Sequence, residues 1–79
     1  ELKEWDLSNN EITWLPSEIG WLRKMEVLNL ANNKLTRVPA ELGWMAQTKT
    51  LDLSGNPEEV RSSANKLKSW MRGANIILP

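Results

Sequence analysis

Apolar residues recur along this chain in a fixed figure. Trp5 and Leu7, Leu28 and Leu30, and Leu51 and Leu53 are pairs at period two, and three positions beyond each pair stands an asparagine: Asn10, Asn33, Asn56. Period two places each pair on one face of a short strand. A shift of 23 positions superimposes these groups and also carries Ile12 onto Leu35, Leu15 onto Val38, Pro16 onto Pro39, Ile19 onto Leu42 and Gly20 onto Gly43. Glu18 falls on Glu41, Trp21 on Trp44 and Leu22 on Met45. So many coincidences at one spacing establish an internal repeat.

The unit reads apolar-x-x-apolar-x-apolar-x-x-Asn-x-apolar, followed by x-x-apolar-Pro-x-x-apolar-Gly-x-apolar. Its strands are expected to stack in parallel about 4.8 Å apart, each unit burying its apolar face against the next. The asparagines stand where the chain leaves the strand, so a buried amide there can bond backbone groups of the neighbouring turn. Pro16 and Pro39 fix an extended start to the return arms and forbid a long helix, so 17–24 and 40–47 are predicted as short helical or 3₁₀ turns. The pattern breaks after residue 56. Asn56 suits an N-cap, Pro57 a first helical position and Glu59 a capping box. Val60, Ala64, Leu67 and Met71 then make one helical stripe with Trp70 at its margin, and Gly73 is placed to end the helix. This predicts a capping helix over 57–72, laid on the open end of the third unit, with 74–79 folding back as an apolar tail.

Residues 1–56 closely resemble the leucine-rich-repeat family in its 23-residue form, because the asparagine and the apolar-Pro positions recur in register. The resemblance implies an α/β solenoid with a parallel three-stranded sheet, short helical return arms and a C-terminal capping helix. All of it forms one domain, 1–79: a first repeat 1–24, a second 25–47, a partial third 48–56, and the cap helix and tail 57–79. It further implies a non-catalytic scaffold that recognises a protein or peptide through the concave sheet face, a step that rests on analogy.

On that face, equivalent positions form rows. Lys3, Glu26 and Lys49 alternate in sign, as do Glu11 and Lys34, and such neighbours support the register. Glu4, Val27 and Thr50 flank a row of Asp6, Asn29 and Asp52. These, with Glu26 and Lys49, are the candidate binding residues. The aspartates lie roughly 10 Å apart, two strands away, too far to share one calcium ion. The row reads as a solvated sheet face or as a shallow acidic groove for a basic side chain of a partner. The amino end starts directly in a strand at Glu1, with no cap, leaving the flank of Leu2, Trp5 and Leu7 uncovered. A bare edge recruits partners. The alternative reading is therefore an engineered or fragmentary unit that self-assembles as a homodimer through this edge and a flank bearing Trp5, Trp14, Trp21 and Trp44. For Trp21 and Trp44, packing within the repeats is the first expectation and contact between chains the second, whereas Trp5 and Trp70 are read as mainly structural. Trp14 is equivalent to Arg37, which permits a cation–π contact.

Composition narrows the chemistry. The 79 residues bound one small domain, with ten basic side chains balanced by ten acidic ones. A neutral chain argues against nucleic-acid binding. The basic residues of the last helix, Arg61, Lys66, Lys68 and Arg72, read as a solvated face. Apolar runs such as Ile76–Leu78 are far short of a membrane span, and no signal peptide is expected ahead of the first repeat. With no histidine and no cysteine the chain lacks the commonest general base and the thiolate nucleophile, and it offers no metal or cofactor motif. Glu18 and Glu41 sit on exposed arms without a pocket, so no enzyme is expected. Five tryptophans beside no tyrosine or phenylalanine make an unusual alphabet that fits an engineered or excised sequence. Extracellular members of the resembled family commonly carry cysteine-bonded caps, and their lack favours a reducing, cytoplasmic setting or a recombinant design.

Overall fold

The computed structural model describes residues 3–22 and 24–79. Four three-residue strands, β1 (Glu4–Asp6), β2 (Val27–Asn29), β3 (Thr50–Asp52) and β4 (Asn75–Ile77), form one parallel sheet in chain order. Trp5 lies opposite Leu28 and Leu28 opposite Leu51, the register the 23-residue repeat demands. Inward positions of the second and third units, Leu28, Leu30, Leu35, Leu42, Leu51 and Leu53, are fully buried. In the first unit Ile19 is buried like Leu42, whereas Leu7 and Ile12, and likewise Leu15 and Leu22 at the places of buried Val38 and Met45, are only partly buried. The difference is one of neighbours, since the first unit has a described neighbour on one side only and the others on both.

The return arms are 3₁₀ helices, Ser17–Trp21 and Ala40–Trp44. Pro16 and Pro39 precede them in extended conformation, and their carbonyls accept the Ile19 and Leu42 amides. A fixed proline φ and a five-residue arm leave room for i→i+3 bonds and little more.

The carboxyl end departs from the sequence-based expectation in three ways. The helix α1 is shorter than 57–72, running Val60–Trp70, though its stripe of Val60, Ala64, Leu67 and Met71 is buried as the spacing requires. Asn56 does not cap it, because its amide is held elsewhere, as described below; Glu59 occupies the cap position without a side-chain bond. Gly73 does not end the helix either, since Met71 is the C-cap residue and its N–H reaches the Leu67 carbonyl. Third, the apolar tail is a strand. A parallel neighbour needs a crossover of a dozen or so residues, and α1 supplies it, so Asn75–Ile77 pairs with β3 and the sheet has four strands rather than three. Thr50 faces Asn75, two positions beyond the repeat period.

Ser63 ties the cap to the second unit, its Oγ accepting the Val38 N–H at 2.9 Å and donating to the Val60 carbonyl. Trp70 closes over Gly43, where a Cβ would come within 2.8 Å of the indole Cε3. The indole nevertheless stays 57% exposed. The solenoid thus has a covered carboxyl end. At the amino end, no described element lies against the far edge of β1.

Candidate functional site

The turn after each strand decides what the concave face can offer. Asn33 is buried; its Oδ1 accepts the Ile12 N–H of the unit before, and its Nδ2 donates to the carbonyls of Leu7, Leu30 and Ala31. Asn56 repeats this one unit on, accepting from Leu35 N–H and donating to Leu30, Leu53 and Ser54. Asn10, with no described unit before it, is exposed and bonds only its own turn, at Leu7 and Ser8. A second asparagine position escaped the sequence reading. Asn9 and Asn32 adopt left-handed φ of 60° and 58°, and Asn32 Nδ2 donates to Asn9 Oδ1 at 3.0 Å. Gly55 takes the equivalent place at φ 72°, where any Cβ would collide with Asn32. The Asn-Asn, Asn-Asn, Gly-Asn sequence at 9–10, 32–33 and 55–56 was the signal available, since these residue types tolerate the left-handed region.

Each strand is three residues long, so its first and last side chains point outward while the middle one enters the core. Outward, Glu4, Val27, Thr50 and Asn75 are register partners across the four strands, and Asp6, Asn29, Asp52 and Ile77 form the parallel row. The structure therefore brings the sequence-derived candidates together and adds Asn75 and Ile77, which the missed fourth strand concealed. Glu26 and Lys49 stand just before their strands and form an ion pair at 3.5 Å. Glu11 and Lys34 pair at 3.3 Å.

Asp6, Asn29 and Asp52 share a structural task. Each Oδ1 accepts the backbone N–H two residues on (Ser8, Ala31 and Ser54), all at 3.0 Å. The hydroxyls of Ser8 and Ser54 add bonds of 2.5 and 2.7 Å to the two aspartates. Such side-chain-to-backbone bonds end the strand and set the turn. The Ser8 hydroxyl, with its amide second, holds the Asp6 carboxyl below its ordinary value of 3.8. One oxygen of each aspartate is thus engaged in the turn, which narrows what this row can give to a partner.

The tryptophans correct the expectation of packing within the repeats. Trp21 and Trp44 are 67% and 56% exposed, because Ile19 and Leu42, with Leu22 and Met45, take the inward positions beside them. Trp44 and Trp70 border one shallow pocket with Gly43 and Ala40. Trp14 is 68% exposed and lines a depression with Arg37. Trp5 fills the place of buried Leu28 yet remains 37% exposed. It lines, with Leu7, Ile12, Trp14 and Leu15, an apolar groove of 420 Å³ at the amino end of the solenoid. Of the self-association candidates, Leu2 lies outside the described residues. On α1, Arg61 pairs with Glu58 at 3.8 Å. No helix is long and apolar enough to cross a membrane among the described residues.

Comparison with known proteins agrees with the geometry. Residues 1–57 match the family described as leucine rich repeat. A solved leucine-rich-repeat protein of Leptospira interrogans is similar at 32% identity and TM-score 0.80 over 90% of this chain. The chain spans 18% of that protein's length. No curated protein matches.

Proposed function

The chain belongs to the leucine-rich-repeat family, and we propose that it is a non-catalytic recognition scaffold binding a protein or peptide through its concave sheet face. The observation that carries this reading is the pair of outward rows, Glu4–Val27–Thr50–Asn75 and Asp6–Asn29–Asp52–Ile77. They run in register across four strands while the core is filled from the other face. Four strands make a platform about 15 Å wide and about 10 Å tall. That suits an extended peptide or one projecting segment of a protein, since a whole standard interface takes about 800 Å² per partner. Acidic residues outnumber basic ones there, so a basic or mixed-charge ligand segment is favoured.

The test is a paired substitution, Val27→Arg with Thr50→Arg. Both side chains are half-exposed, and neither takes part in the turn bonds. The double variant should keep the wild-type circular dichroism and melting temperature while losing a partner recovered by the wild-type chain. A partner retained at equal strength would reject the concave face.

A further inference from the structure

Where α1 meets the second return arm, the cap puts an aromatic face in a place that the repeat fills with backbone. Over Gly20 lies the carbonyl of Glu41, from the next arm; over Gly43 lies the indole of Trp70, from α1. A Cβ on either glycine would collide with what covers it, so each arm sits close against the unit that follows. At Gly43 the result is a shallow pocket of 310 Å³ between the arm and α1, lined by Ala40, Glu41, Gly43, Trp44 and Trp70. The arm that carries it is packed on both sides by described elements, Ser17–Trp21 and α1. Both indoles are nevertheless more than half exposed. Glu41 is half-buried, and its carboxylate makes no hydrogen bond or ion pair among the described residues. No basic side chain of the described residues lines the pocket; Lys66, one turn before Trp70 on α1, is exposed and stands outside it.

We propose that this pocket takes one arginine side chain of a partner protein, its guanidinium lying against the indoles of Trp44 and Trp70 and donating to the Glu41 carboxylate. The lining selects that group. An indole face attracts a cation better than any other aromatic side chain does, and an unpaired carboxylate beside two such faces is complementary to positive charge. Arginine meets both at once, because its planar guanidinium stacks on aromatic rings while its forked N–H groups match the two carboxylate oxygens. A lysine ammonium is a compact, strongly hydrated charge with three donors and no flat face, so it fits this lining less well. The volume stands at the lower limit of ligand sites, which is room for one side chain and not for a larger molecule. None of the lining residues belongs to a strand. The proposal therefore goes beyond the concave-face reading and stands without it.

The experiment follows the indole Nε1–H resonances of the ¹⁵N-labelled chain during titration with a capped glycine–serine peptide that carries a single arginine. Two further peptides carry, at the same place, lysine or citrulline, the uncharged isostere of arginine. The arginine peptide should shift the Trp44 and Trp70 resonances and leave those of Trp5 and Trp14 unmoved. The citrulline peptide should bind about tenfold more weakly or worse, the combined scale of two exposed cation–π contacts and one exposed ion pair. The lysine peptide should fall between the two. Glu41→Gln and Trp44→Leu should each cost the arginine peptide about two- to fivefold in affinity. Neither side chain makes a hydrogen bond among the described residues, so both variants should keep the wild-type circular dichroism. The proposal fails if Trp44 and Trp70 are indifferent to the arginine peptide, if citrulline binds as well, or if lysine binds as tightly as arginine. It also fails if the free chain sediments as a dimer that Trp44→Leu dissolves, because the pocket then holds a second copy. Val27→Arg with Thr50→Arg leaves this titration unchanged, so failure here and failure of the concave-face reading are distinguishable.

Discussion

Asn33→Ala removes the amide that joins the first two repeats, and its cost can be worked from the bonds. The carbonyls of Leu7, Leu30 and Ala31 lose a donor each but keep another: Asn10 Nδ2, Asn56 Nδ2 and the Asn9 N–H respectively. The Ile12 N–H, 3.1 Å from Asn33 Oδ1, loses its acceptor. One orphaned, part-buried donor at about 1–3 kcal/mol, with three second bonds weakened at roughly 0.5 kcal/mol or less each, gives a loss of about 3 kcal/mol. A chain of this length holds only about 4–12 kcal/mol in all, so the loss is large. It corresponds to a fall in melting temperature of about 15 °C. Asn10→Ala is the internal control. Asn10 occupies the same place in its unit but is exposed and bonds only Leu7 and Ser8. Its removal should cost about 0.5 kcal/mol. Urea and thermal unfolding followed by far-ultraviolet circular dichroism, with equal m-values, give both numbers. Equal losses at the two positions would refute the reasoning, because the cost would then belong to the turn itself and not to the contact between repeats.

Three further outcomes follow from the same geometry. Leu30→Ala, at a fully buried site, should cost about 3 kcal/mol, while Leu7→Ala, its half-buried equivalent, should cost less than half as much; equal costs in urea would show that a described neighbour on both sides adds nothing to burial at this position. Ser63→Ala takes the acceptor from the Val38 N–H and should lower stability by about 1 kcal/mol with faster exchange at that amide, whereas Ser69→Ala, whose hydroxyl bonds only Lys66 on an exposed face, should change stability by less than roughly 0.5 kcal/mol. Asp6 should titrate below 3.8 by carboxyl ¹³C resonance, and Ser8→Ala should return it toward that value. A depressed folded-state value gives stability present above the unfolded value and lost as pH falls through the folded one, so the Asp6 contribution disappears below about pH 4. An unchanged midpoint in Ser8→Ala would contradict the assigned cause.

The repeat was legible because stacking forces equivalent residues into equivalent environments, and Leu28 with Leu51 or Asn33 with Asn56 must therefore look alike in sequence. The cap was only partly legible for the same reason. Its stripe of Val60, Ala64, Leu67 and Met71 follows helical spacing, which needs no repeat to be seen. The fourth strand follows a period lengthened by the helix. A shift of 23 sets Gly73-Ala74-Asn75 against Thr50-Leu51-Asp52, and the resemblance vanishes, while the true partners begin two residues later. Asn56 misled in another way. One residue type serves both as a helix cap and as a ladder amide, and the burial between Leu30 and Leu53 that decides the matter belongs to the tertiary structure.

The candidate surfaces divide along the same line. The concave rows could be listed from the period, yet the sequence could not say that Asp6, Asn29 and Asp52 turn one oxygen back to their own loops, because aspartate in a strand row reads as charge on offer. Only the three equal bonds to Ser8, Ala31 and Ser54 show that a chargeless asparagine does the same work in the middle unit. The hydrogen bond to the turn amide is therefore made with or without charge at this position, and the charged residue occurs where a serine two positions on adds a hydroxyl bond, at Asp6 with Ser8 and Asp52 with Ser54, while Asn29 has Ala31 two positions on. At the amino end the reasoning runs in the opposite direction. Trp5 reads as a core residue from its period, and it is one in orientation. Its partial exposure follows from the edge position of β1, where the surface that buries Leu28 has no described counterpart. An inward side chain is not the same thing as a buried one in a stacked fold, since burial there depends on the units on both sides and not on the strand that carries the residue.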